Sequence, residues 1–179
     1  MRLFFAYWPS PSKAEEMVPW VEGAHALYGG RMMRTDTLHM TLAFLGPADE
    51  TATQRLVTAC QEWTLPSGSM VLREAGRFSR AKVVWLGPSS ADPTSLEWLY
   101  QANQQLWAYL APLGWSSRES AFRPHVSLLR NAGRGPLEAL HGPEVHWTPG
   151  RCVLVGSRPT EAGSRYTMLA EIPLVHAAP

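Results

Sequence analysis

The stretch His39-Met40-Thr41-Leu42 recurs about half a chain length later as His125-Val126-Ser127-Leu128, and this repeat decides how the chain is interpreted. Both copies fit His-x-(Thr/Ser)-Leu. Each copy lies in an apolar run that alternates with a period of two, which indicates a strand. Because residues i and i+2 of a strand face the same side, each copy projects an imidazole and a hydroxyl from one face. Two such strands facing each other would frame a cleft.

Outward from these strands, the pattern alternates strands and helices in an order typical of an α+β protein. The predicted strands are residues 2–8, 38–45, 69–78, 82–86, 122–130, 144–146, 151–157 and 165–173. The predicted helices are residues 12–28, 49–63 and 92–110, the first with a Ser12/Glu15 capping box and a kink or break at Pro19. The repeated motif predicts a single domain, residues 1–179, made of two related lobes around a pseudo-twofold axis.

Composition limits the class of protein. Of 179 residues, 45% are apolar and 17% are charged, which is typical of a globular chain. A net charge of +1 argues against a long phosphate-tracking groove but permits a local basic pocket. Cys60 and Cys152 lack metal-ligand spacing and are too few for a disulfide scaffold. With no apolar stretch of membrane-spanning length and no secretory signal, we expect a cytoplasmic, monomeric protein with reduced thiols.

The paired motif suits acid–base chemistry at phosphorus. Hydrolysis of a cyclic phosphodiester requires one group to deprotonate the attacking water and another to protonate the leaving oxygen. Histidine, with an ordinary pKa near ~6.5, can serve in either role. Thr41 and Ser127 can donate hydrogen bonds to the non-bridging oxygens, and Arg130 can clamp the same oxygens. Arg130 has the wrong parity for this face, so we expect a bulge or the loop at Asn131 to turn it into the cleft.

With its flanking residues, the chain resembles the 2H phosphoesterase superfamily, and within it the RNA 2′,3′-cyclic phosphodiesterase family, also called 2′-5′ RNA ligase. The resemblance spans nearly the whole chain. The matching segments are Arg2–Ala6, His39–Gly46 and Arg123–Arg130, with lesser matches at Val84–Gly87 and Gly163–Tyr166. Ser127 departs from the more usual threonine but keeps the hydroxyl.

The resemblance implies a bilobal α+β fold of two pseudo-symmetric lobes, each with an antiparallel sheet and helices, with the active site in the central cleft. It implies metal-independent opening of 2′,3′-cyclic phosphate ends of RNA, or of cyclic nucleotides, to a 2′-phosphomonoester, with no cofactor. It also implies a weak, reversible ligation activity seen in some members. Because the 3′ oxygen must leave, we assign His39 as proton donor and His125 as proton acceptor, roles that pseudo-symmetry makes nearly interchangeable. Phe5 and Tyr7 share a strand face and are candidates for stacking a terminal base.

Two alternatives remain open at this level. A related enzyme could act on ADP-ribose cyclic phosphate or trim RNA 3′ ends with the same site and a different rim. A non-catalytic module could instead hold RNA ends through the same residues, although the intact histidines and hydroxyls disfavour that alternative.

Overall fold

The computed structural model describes residues 1–89, 91 and 94–176. Its strands are Arg2–Tyr7 (β1), Arg31–Met32 (β2), Met40–Pro47 (β3), Leu65–Ser67 (β4), Met70–Phe78 (β5), Val83–Pro88 (β6), Val126–Arg130 (β7), Val145–Trp147 (β8), Cys152–Thr160 (β9), Gly163–Ile172 (β10) and Leu174–His176 (β11). Its α-helices are Pro11–Tyr28 (α1), Glu50–Cys60 (α2) and Glu97–Leu110 (α3). Short 3-10 turns cover Thr35–Thr37, Thr94–Leu96, Ala111–Leu113 and Leu137–Ala139.

The two motif strands are neighbours at the centre of an antiparallel sheet. Its order is β10-β9-β1-β3-β7-β6-β5-β8, with β2 paired to β7 beside this path. Each motif strand is therefore the inner strand of one four-stranded half. In the described part of the chain, the halves meet through one register pair, Met40 with Val126. The α+β class with antiparallel pairing is confirmed, and the two halves are hydrogen-bonded into one sheet.

The helices cover one face of this sheet and leave the other open. α1 packs against β7 and β8, α2 against β10, and α3 against β3 and β4. Buried side chains from both sheet halves and all three helices form one continuous core between them. The helix-covered face is the core face, and the opposite face is free to carry a site. Within the described residues, no helix is both long and apolar enough to span a bilayer.

The first helix departs from the sequence prediction at two points. Ser10 caps α1 by accepting a hydrogen bond from the Lys13 backbone N at 3.2 Å, so the predicted capping box at Ser12 is wrong. The helix also runs unbroken through Pro19. Proline removes one bond to the carbonyl four residues earlier, here that of exposed Glu15, where water can replace it. The buried stripe of α1 against the sheet holds the helix together across that gap.

The other predicted helices and strands are present in the structure, and the differences are in their ends and in a few short strands that were not predicted. The β5–β6 hairpin and the Asp49 cap of α2 are confirmed, although α2 ends at Cys60. Three short strands lie outside the predicted set, namely β2, β4 and β11. The predicted helix start at Asp92-Pro93 lies outside the described residues. Cys60 and Cys152 are buried free thiols.

Candidate active site

The central register pair directs both motifs to the open face. Met40 and Val126 are each 0% exposed and point into the core. Since strand side chains alternate, the residues flanking this pair point to the opposite face. Across the antiparallel pair, the hydroxyl of each motif lies toward the imidazole of the other. The structure thereby brings four predicted site residues together, all partly buried: His39, Thr41, His125 and Ser127.

Both imidazoles are held in the same way. His39 Nδ1 lies 2.7 Å from the Thr37 carbonyl oxygen, and His125 Nδ1 lies 2.6 Å from the Arg123 carbonyl oxygen. A carbonyl can only accept, so each Nδ1 carries the proton and donates it. In the neutral ring, the Nε2 atom then has its lone pair free. Each histidine can therefore take a proton at Nε2 as a base or give one from Nε2 as an acid.

A bulge in β7 turns Arg130 into the cleft, as the sequence argument requires. The pairing of β7 with β6 passes from Ser127 directly to Leu129, so Leu128 is an extra residue. One extra residue reverses the alternation that follows it. Arg130 therefore lies on the same face as Ser127, although the two are three positions apart. Arg130 is close enough to both imidazoles to lower the pKa of each.

A similar bulge in β3 brings Phe44, which was not predicted as a site residue, onto the face of the cleft. Pairing with β1 passes from Thr41 to Ala43 and skips Leu42. Phe44 then faces the same side as Thr41, in the position that Arg130 occupies in the other motif. Its side chain is 51% exposed and lines a cavity with His39. An exposed aromatic ring beside a catalytic candidate is a ready platform for a planar base.

His39 sits in an aromatic enclosure. Its ring stacks on Trp8 (centroids 4.9 Å apart, planes at 6°) and on Phe4 (5.0 Å, 26°), and the Tyr166 ring meets it edge-on at 5.7 Å. Burial lowers the pKa of His39 to about 4, the Arg130 and His125 charges act in the same direction, and the hydrogen bond to the Thr37 carbonyl opposes them. In the free protein at neutral pH, His39 is an uncharged imidazole.

His125 has a smaller enclosure from the other half of the sheet. Phe78 meets its ring edge-on at 4.8 Å, and the Trp85 ring centroid lies 6.0 Å away. Burial lowers the pKa of His125, and the Arg130 charge acts in the same direction. Gly76 makes room for this enclosure, because a Cβ there would lie 1.9 Å from the Trp85 ring.

A cationic cavity of about 530 Å³ opens beside His39 and Thr41. Three arginines line it: Arg2, Arg31 and Arg130. None of the described residues lining it is acidic. Both imidazoles contact aromatic rings, and the cavity lined by the three arginines lies on the His39 side of the cleft.

The prediction that Phe5 and Tyr7 stack a base is wrong. Both are 0% exposed in the core, and the Tyr7 hydroxyl donates to the Pro66 carbonyl oxygen. The other face of β1 reaches the site, where Phe4 and Trp8 pack on His39. Among the described residues, no group of three or more His, Cys, Asp or Glu side chains is arranged to hold a metal ion.

This is an α+β fold with two histidine motifs on one open sheet face, and comparison with known proteins gives the family. The model of the 2′-5′ RNA ligase superfamily matches residues 9–156. The RNA 2′,3′-cyclic phosphodiesterase of Escherichia coli strain K12 is 31% identical over 131 residues, which cover 73% of this chain and 72% of that protein. The chain belongs to the 2′-5′ RNA ligase superfamily.

Solved structures agree on the fold. Escherichia coli LigT complexed with 3′-AMP superposes with a TM-score of 0.80 and 28% identity over 97% of both chains. LigT complexed with ATP gives a TM-score of 0.75 with the same identity and the same coverage. A protein of Thermus thermophilus, TT0787, shares the fold at 21% identity and a TM-score of 0.75 over 97% of both chains.

Proposed function

We propose that the protein is a phosphodiesterase that opens 2′,3′-cyclic phosphate ends of RNA, or cyclic nucleotides, to 2′-phosphomonoesters. Family membership and the named activity of the Escherichia coli relative support the reaction class. The observation that carries the proposal is the pair of imidazoles, each anchored through Nδ1 to a backbone carbonyl and each presenting Nε2 on one sheet face. We also propose that the chain works as a cytoplasmic monomer of one two-lobed domain.

Two fixed Nε2 atoms can divide the proton transfers of the reaction. His125 Nε2 takes a proton from water as the water attacks phosphorus, and His39 Nε2 gives a proton to the departing 3′ oxygen. The 2′ oxygen keeps its bond to phosphorus, so the product is a 2′-phosphomonoester. The stacked faces of Trp8 and Phe4 favour His39 as the donor, because aromatic faces stabilise an adjacent cation. Binding of an anionic phosphate offsets the burial that keeps this ring neutral in the free protein.

Three further groups suit the charge that develops on the phosphate. The hydroxyls of Thr41 and Ser127 are on the cleft face, and among the described residues neither has a hydrogen-bond partner in the free protein. Arg130 adds a guanidinium fork from its strand end. Fixed donors aimed at a developing oxyanion each contribute about 10²- to 10³-fold to kcat. The proposed mechanism draws on these side chains alone and uses no metal ion or cofactor.

The experiment is a product assay with adenosine 2′,3′-cyclic phosphate in excess chelator that resolves 2′-AMP from 3′-AMP. We expect 2′-AMP alone, with turnover lost in His39→Asn and in His125→Asn and kept in the exposed control His141→Asn. Asparagine can still donate to the carbonyl that each Nδ1 contacts, which protects the local fold. Strict metal dependence, or full activity in either motif variant, would contradict the mechanism, and 3′-AMP would reverse the leaving group.

A sulfur leaving group separates the acid from the base. A substrate with sulfur in place of the 3′ oxygen expels a thiolate, which needs no proton to leave. We expect His39→Asn to regain most of its activity on this substrate and His125→Asn to remain inactive. The reverse pattern would exchange the two roles.

Two rival functions keep distinct signatures. ADP-ribose cyclic phosphate turned over in preference to RNA ends would indicate the same chemistry with a different rim. Tight binding of a cyclic-ended oligomer without product, over long incubation, would indicate a binding module.

A further inference from the structure

Two arginines of the cationic cavity are directly opposite each other in the sheet. Arg31 on β2 and Arg130 on β7 are a register pair of an antiparallel ladder. Directly opposite residues have Cβ atoms about 5 Å apart, and like charges in such a pair destabilise a sheet. Neither guanidinium has an ion-pair or hydrogen-bond partner among the described residues. The fold thus tolerates a repulsion that anions bound beside the two side chains would relieve.

The rest of the cavity lining adds positive charge and no negative charge. Arg2 lines it from β1, two residues before the Phe4 ring that stacks on His39. The β9–β10 turn closes on Arg31 at Gly163, whose φ is +108° and where a Cβ would lie 2.5 Å from Arg31 Nη1. Three positive charges therefore meet in one cavity whose described lining contains no carboxylate.

A cyclic phosphate diester carries a single negative charge, so the reacting phosphate balances only one of the three arginines. We assign Arg130 to the reacting phosphate, since the bulge at Leu128 places it on the same face as Ser127 and close to both imidazoles. Arg2 on β1 and Arg31 on β2 then remain in the cavity without an assigned anion. A ribose that carries the reacting cyclic phosphate on its 2′ and 3′ oxygens has its next attachment point at the 5′ oxygen. Arg31 lines the same cavity as His39 and Thr41, so it is placed to meet a phosphate one sugar away from the reacting one.

We propose that Arg31, aided by Arg2, forms a second anion subsite that binds the phosphate on the 5′ oxygen of the ribose being processed. This inference rests on the proposed function and adds substrate selectivity to it. A cyclic nucleotide with a 5′-phosphate is then a better substrate than one with a free 5′-hydroxyl. The same chemistry occurs as the phosphodiester of an RNA chain and as the pyrophosphate of ADP-ribose cyclic phosphate.

The test compares kcat/KM for adenosine 2′,3′-cyclic phosphate with and without a 5′-phosphate. We expect the wild type to prefer the 5′-phosphorylated form by about tenfold or more, the contribution of one charge-assisted hydrogen bond. Arg31→Gln should lose that preference while keeping its rate on the unphosphorylated nucleotide, and Arg31→Lys should keep part of the preference. The matched control is Arg34→Gln, which removes an arginine of the same segment that pairs with Asp36 at 3.2 Å and is outside this cavity.

Two further substrates distinguish an RNA phosphodiester from a pyrophosphate as the group bound by the subsite. A dinucleotide ending in a cyclic phosphate and ADP-ribose cyclic phosphate are assayed with the same variants. Greater loss with the dinucleotide assigns the subsite to RNA, and greater loss with the pyrophosphate assigns it to the ADP-ribose compound. An unchanged preference in Arg31→Gln, or an equal loss on both mononucleotides, overturns the inference and leaves the proposed function intact.

A stability measurement is independent of turnover. In phosphate-free buffer, Arg31→Gln should melt at or above the wild-type Tm, because it removes a like-charge contact. Inorganic phosphate should raise the Tm of the wild type more than that of the variant. A variant Tm well below wild type would give Arg31 a structural role and overturn the inference. If the wild type turns over neither mononucleotide, the proposed function fails, and the phosphate-dependent Tm still decides whether the subsite exists.

Discussion

Lowering the pH from 7 to 5 should destabilise the protein through His39. In the unfolded chain this imidazole has its ordinary pKa of 6.5, whereas burial lowers it to about 4 in the folded protein. Between these two values the unfolded state binds more protons than the folded state. Stability therefore falls as the pH drops below 6.5 and keeps falling until the folded-state pKa is passed.

The size of the effect follows from the two pKa values. Each pKa unit corresponds to ~1.4 kcal/mol, so the full difference is about 3 kcal/mol. At pH 5 the unfolded imidazole is almost fully protonated and the folded one is still neutral, which makes about 2 kcal/mol of this loss visible. That is a large part of the roughly 5–15 kcal/mol that typically holds a domain together.

Urea unfolding at pH 7, 6 and 5 measures the loss. His39→Asn cannot titrate, and its amide can still donate to the Thr37 carbonyl. We expect wild type to lose about 2 kcal/mol more than His39→Asn between pH 7 and pH 5, while the exposed control His141→Asn follows the wild type. Equal losses in wild type and His39→Asn would refute the burial argument, and an NMR titration of His39 with a midpoint near 6.5 would refute it directly.

Three other substitutions test the cleft. Phe44→Leu should raise KM for a cyclic nucleotide about tenfold or more with little effect on kcat, since base–aromatic stacking contributes about 1–3 kcal/mol; an unchanged KM would exclude Phe44 as the platform. Ser127→Ala should lower kcat about 10²-fold or more while Ser127→Thr stays close to wild type, and equal rates for the two would deny the hydroxyl a role. Gly76→Ala should cost about 1–3 kcal/mol in urea unfolding because its methyl group meets the Trp85 ring; unaltered stability would contradict that packing.

The sequence predicts the centre of the molecule well because two independent signals coincide there. Strand alternation assigns Met40 and Val126 to the core and their neighbours to the other face, and the structure agrees. The odd parity of Arg130 predicts an irregularity in its strand, and the bulge at Leu128 supplies it. In both cases the polar residues of an otherwise apolar strand show which face of the sheet is not covered by the core.

The same reasoning fails in β1 because that strand carries no such marker. Residues 3–8 are apolar throughout, and all are buried in the structure, some against the helices and some against the site. A strand covered on both faces reads as a continuous apolar run, so its period cannot show which side meets the cleft. The expectation for Phe5 and Tyr7 is wrong for this reason. Phe44 is not predicted as a site residue because a strict two-residue period puts it on the sheet face opposite to Thr41. The bulge at Leu42 moves it to the same face as Thr41.

The leucine that ends each motif now has a physical role. Leu42 and Leu128 are each skipped by one neighbouring strand, and each is buried, at 2% and 0% exposed. An unpaired residue in a sheet needs another interaction to hold it, and an apolar side chain anchored in the core provides one. The bulge it holds brings a third side chain onto the face of the histidine and the hydroxyl. Because that third residue is Phe44 in one half and Arg130 in the other, a repeated motif yields an asymmetric cleft, with distinct places for a base and for phosphate oxygens.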